Sequence, residues 1–161
     1  MNWIGALLLA LSGYAFGINI AKKEGERLKN LDSLIYLFEF LYRRMETERC
    51  PLYEIFLDFS DDRLENEGFL AEIRMFPNNI NDGFKSAVDM LAVDGDIKRE
   101  LFHFGETLGT LTLDAQLGRI KAINEIIWSR RNELRVSLPK KQKSIRTVCS
   151  LFGILTAIIL M

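Results

Sequence analysis

The sequence predicts an all-α protein: a cytosolic helical bundle of about six helices between an N-terminal and a C-terminal transmembrane helix. Three observations carry that expectation. Apolar residues recur at steps of three and four along most of the chain, and Leu28, Leu31, Ile35, Phe38, Tyr42 and Met45 form the longest such stripe. No stretch alternates apolar and polar residues as a half-buried strand would. Every Lys, Arg, Asp and Glu lies between Lys22 and Arg146, so both ends are uncharged and apolar.

The division that follows is 1–21 as a first span, 22–143 as a cytosolic domain and 144–161 as a second span. Residues 1–21 at ~1.5 Å each cover ~30 Å, one hydrocarbon thickness. A cleaved signal peptide is the competing reading. It needs a basic start, and here the cations Lys22 and Lys23 follow the apolar run, which favours an uncleaved anchor. The helix continues to about Glu48, and Leu34, Leu37 and Leu41 widen its stripe into a bundle-core face.

Cys50-Pro51-Leu52 interrupts the pattern. Proline suits the first position of a new helix, expected from Pro51 to about Phe59 with Ile55, Phe56 and Phe59 inward. A third helix is expected from about Asn66 to Phe76, burying Phe69, Leu70, Ile73 and Phe76. Pro77-Asn78-Asn79 is a turn. Asn81 or Asp82 can cap a fourth helix carrying Phe84, Val88 and Leu91. Asp94-Gly95-Asp96 is a further turn and cap.

The next helix holds the most informative stretch, Leu101 to Gly109. Ile97, Leu101, Phe104 and Leu108 make its apolar stripe. A glycine inside a helix costs about 1 kcal/mol against alanine, so Gly105 needs a reason; it lies beside the stripe and leaves room for another helix to come close. Glu106 falls on the opposite face. Gly109 follows the last apolar residue and suits a left-handed cap. Thr110 or Thr112 starts the last long helix, with Leu117, Ile120, Ile123, Ile127 and Leu134 inward, and Pro139 is expected to interrupt it. Thr147 to Met161 covers only ~22 Å, short of a full span, which snorkelling of Arg146 or inclusion of Ser144 and Ile145 can meet.

Charge then sets orientation. Lys22 and Lys23 flank the first apolar run, and Lys140, Lys141, Lys143 and Arg146 the second, all on the side of the middle domain. By the positive-inside rule that domain is cytosolic. A net charge of −1 argues against nucleic acid as a partner. The two cysteines form no CxxC pair, and Cys50 in the charged middle and Cys149 in the apolar tail are poorly placed for a disulfide. No GxxxxGK[ST], HExxH or GxSxG occurs, and a lone His103 makes no familiar metal site, so no cofactor and no catalytic residue is expected. His103 and Glu106 stand three apart on one helix and read as an ion pair or, alternatively, as an acid/base pair.

Candidate contact surfaces remain. Glu54, Asp58, Asp61, Asp62, Glu65, Glu67 and Glu72 face one cation, Arg63, within a short segment, either as a solvated face or as a docking surface for a basic partner. Arg99 and Glu106 on the outer face of the Leu101–Gly109 helix are a second candidate. The basic stretch from Arg119 to Arg146 suits anionic lipid headgroups. Gly13, Gly17 and Ala21 repeat every four residues at the cytosolic end of the first span, and Cys149, Gly153 and Ala157 in the second. These stripes would let the two spans pack together, or with another subunit's, as a route to self-association.

Phe104-Gly105-Glu106-Thr107-Leu108-Gly109 resembles the FGETLG signature of the stage III sporulation protein AB family. The apolar ends and Pro51-Leu52 are similar too. Cys50 stands where the family typically has threonine, a better N-cap. Ser150-Leu151-Phe152-Gly153 resembles the family's Ser-Leu-Gly turn with one residue inserted. The resemblance implies a non-enzymatic structural or assembly subunit of a sporulation transenvelope channel. The family's cytosolic domain is similar to that of type II secretion and type IV pilus platform proteins. It also implies a mother-cell (outer forespore) membrane location, other channel subunits, and a cytosolic ATPase partner, stage III sporulation protein AA. The alternatives are a small membrane enzyme using Glu106 and His103, and a generic two-span scaffold or sensor.

Overall fold

A computed structural model describes the backbone of residues 3–48 and 50–159; side chains are described mainly from Lys23 to Lys140. Among the described residues all regular structure is helical, in seven helices: α1 (Trp3–Glu48), α2 (Leu52–Asp58), α3 (Asp62–Asn66), α4 (Phe69–Arg74), α5 (Ile80–Met90), α6 (Gly95–Thr107) and α7 (Leu113–Ile159). The chain divides into two compact units. One is Arg27–Arg131, and the other comprises Met1–Glu26 with Asn132–Met161. Among the described residues no helix is long and apolar enough to cross a membrane. The side chains of Gly13, Gly17, Ala21, Cys149, Gly153 and Ala157 lie outside the described ones, and so do most of those in both apolar ends.

The Arg27–Arg131 unit is built around phenylalanines. Phe84 of α5 is their centre, with ring centroids 5.5 Å from Phe104, 5.6 Å from Phe69 and 6.2 Å from Phe56. Phe38 of α1 packs edge-on against Phe104 at 5.1 Å. Each ring comes from a different helix, so one aromatic cluster ties α1, α2, α4, α5 and α6 together. Edge-to-face pairs of this kind contribute ~0.5–1.5 kcal/mol each beyond area burial. The stripe Ile97–Leu101–Phe104–Leu108 is buried as expected; of the expected α1 stripe Leu31, Phe38 and Met45 are buried together with Leu34, Leu37 and Leu41, whereas Leu28, Ile35 and Tyr42 are half-buried.

Local details differ from the sequence reading. The expected third helix, from about Asn66 to Phe76, is the shorter α4, and a short helix that was not expected, α3, precedes it. Asp61 caps α3 by accepting from the amides of Arg63 and Leu64 at 3.1 and 2.9 Å, and Gly68 then turns the chain at φ 81° before α4 begins. A left-handed residue cannot continue an α-helix, and glycine takes that conformation without a Cβ clash. Pro51 occupies the cap position before α2 rather than its first helical position, and Cys50 takes no part in the cap. Neither Asn81 nor Asp82 caps α5: Asn79 does, one residue before Ile80. Pro139 does not interrupt α7, which runs on to Ile159. A proline removes one helical bond, here to the Arg135 carbonyl. Arg135, Val136 and Pro139 are all exposed, so water can satisfy that carbonyl while the helix continues.

Candidate functional site

The FGETLG segment forms the end of α6 and the corner after it. Phe104, Gly105 and Leu108 are buried, and Glu106 faces out. A Cβ on Gly105 would stand 3.0 Å from Phe84 Cδ1 and 3.1 Å from Lys85 Cγ, so the glycine lets α5 press onto α6. Thr107 turns its hydroxyl back to the Phe104 carbonyl at 3.1 Å. Gly109 adopts φ 75°, the left-handed stop that ends the helix. Its amide donates to Oε1 of the buried Gln116 at 3.3 Å, which fastens the corner to the start of α7.

The outer face of α6 is charged and solvated. Arg99 pairs with Asp96, and both are exposed. His103 Nδ1 stands 3.2 Å from Glu106 Oε2, with the two side chains 60% and 61% exposed. In that setting the contact is an open surface pair. A groove of about 470 Å³ opens along α1 and α7, but its lining (Phe38, Glu39, Tyr42, Arg43, Ile120, Lys121 and Asn124) contains neither residue. Cys50 Sγ contacts the Glu48 carboxylate at 3.6 Å, and desolvation and then Glu48 push the thiol up, away from a thiolate nucleophile.

The acidic segment is not one uniform face. Asp58 is tied to Arg44, whose guanidinium lies 5.8 Å over the Phe40 ring. Asp61 is the α3 cap and half-buried. Glu65 pairs with Arg74 at 3.0 Å. Asp62 is exposed. Glu67 turns inward to the buried Asn30, accepting from its Nδ2 at 2.6 Å. The Arg63 guanidinium donates to Asn30 Oδ1. Sequence patterning missed this polar cluster. The available signal was an asparagine beside Leu31 on the buried stripe of α1, where an unpaired amide would be costly.

These features define a compact helical bundle whose ionisable side chains form surface pairs, helix caps and interhelical ties. The family model for stage III sporulation protein AB matches residues 2–161. The chain belongs to that family, and the signature motif occupies the α6 corner. No curated protein and no solved structure matches the chain.

Proposed function

We propose that this sporulation protein is a non-enzymatic, membrane-anchored structural or assembly subunit of a secretion-like transenvelope complex, with its middle domain in the cytosol. The observation that carries the reading is the separation within the chain. All charge lies between Lys22 and Arg146, and the bundle of Arg27–Arg131 is a compact unit apart from the ends. A bundle facing the cytosol would receive a soluble ATPase, stage III sporulation protein AA in the family's terms, while the ends hold the membrane. The family's motif serves packing at a helix corner, which suits a scaffold more than a reaction centre.

Membranes from sporulating cells provide the test. The full chain, solubilised in mild detergent, is expected to co-purify with the ATPase and further channel subunits. Recovery of the chain in the soluble fraction, or from membranes with no partner, overturns the proposal.

A further inference from the structure

Asp94 stands immediately before α6, where an aspartate ordinarily caps the helix with its own carboxylate. Here the side chain makes no capping bond. Its Oδ1 lies 3.2 Å from Arg27 Nη1 on α1, and its Oδ2 accepts from Arg130 Nε on α7 at 2.8 Å. The carboxylate, 15% exposed, therefore gives up a local role to join two helices distant in sequence. Two residues earlier the backbone is held as well. The Ala92 carbonyl accepts from Asn30 Nδ2, and its amide donates to Glu67 Oε2, each at 3.1 Å. Arg131 Nε donates to Asp32 Oδ1 at 2.7 Å and ties α7 to α1 directly. Arg27 and Arg131 are the first and last residues of the bundle unit.

We infer that Asp94 is a charged clasp, a conformational device that locks the signature helix α6 to α1 and α7 at the place where those helices enter and leave the bundle. Any shift of α6 relative to the long helices has to break the ion pair to Arg27 and the charge-assisted hydrogen bond from Arg130, a kind roughly twice as strong as a neutral one. A load or a docked partner on α6 is thereby transmitted to the segments that continue toward both ends of the chain. The inference concerns the bundle alone and holds whether or not the proposed ATPase is the partner.

Asp94→Ser is the decisive variant, because serine can cap α6 but cannot bridge two arginines. Hydrogen exchange on the full chain is expected to quicken about tenfold at the start of α6 and in the last turns of α7 before Arg131, with α2 to α5 unchanged. Arg130→Gln and Arg27→Gln are expected to give the same local pattern. The double variant Asp94→Ser with Arg130→Gln is expected to add little to either single one. Exchange that stays at the native level in α7, or rises equally through the bundle, overturns the clasp. If Asp94→Ser fails to fold, the two arginine variants decide by the same criterion.

Discussion

Gly105 and Glu106 are neighbours in the signature with opposite tasks. The space beside Gly105 is already taken by the Phe84 ring and the Lys85 stem. Lys85 can swing away, but Phe84 is fully buried at the centre of the aromatic cluster. Gly105→Leu is therefore expected to lower stability by ~1–3 kcal/mol through overpacking. Glu106→Ala should change it by less than ~0.5 kcal/mol, because the side chain is solvated and its partner His103 is equally open. Gly109→Ala falls between them, at ~1–2 kcal/mol for a Cβ forced into the left-handed region. Thermal melts of the three variants check the order. A Glu106→Ala loss as large as that of Gly105→Leu would mean that the carboxylate has an inward partner.

Among the helices, the amphipathic ones were legible and the joints between them were not. Ile97, Leu101, Phe104 and Leu108 fix the face of α6 by spacing alone, and Gly105 announces the close approach of α5. The short α3 could not be read from periodicity, because Leu64 is its one buried residue, and the expected start at Asn66 put the left-handed Gly68 inside a helix that in fact begins after it. Pro139 misled for the converse reason: an exposed proline costs a helix one bond, and the rest of α7 continues across it. Polar ties were hidden because they pair residues such as Asn30 with Glu67, and Arg27 with Asp94, whose partners only the folded bundle defines. The short α3 depends on its cap. Asp61→Ala is expected to cost ~0.5–2 kcal/mol, whereas the exposed neighbour Asp62→Ala should be close to neutral. Chemical unfolding of the two variants separates them, and equal midpoints would remove the cap from the account of α3.

At the scale of the whole chain, the expected orientation and the expected partner can be tested apart. Asn78 lies on the exposed turn between α4 and α5, just before the Asn79 cap. With the bundle in the cytosol, a cysteine at that position should resist membrane-impermeant thiol reagents until cells are permeabilised, and labelling of intact cells would reverse the topology. Docking needs a more careful design, since the acidic segment is partly occupied by the fold. Asp61 must be left in place, because any lysine there removes the α3 cap. Lysine at Asp58 or Glu65 would face Arg44 or Arg74 and add a repulsion unrelated to binding. Asp58→Asn and Glu65→Gln remove the charge and keep the shape, and each lost surface pair is worth only ~0–1 kcal/mol. Asp62→Lys completes the set without disturbing a cap. If a basic surface of the ATPase docks here, the triple variant should bind it several-fold more weakly and with a flatter dependence on salt, because exposed charges act mainly through encounter rate. Its melting temperature should stay close to that of the native chain. Native affinity and native salt dependence in this variant would exclude the acidic segment. Arg99→Ala and Glu106→Ala on the outer face of α6 would then be the pair to measure, because that face is the second exposed charged surface and its Asp96–Arg99 pair begins two residues after Asp94.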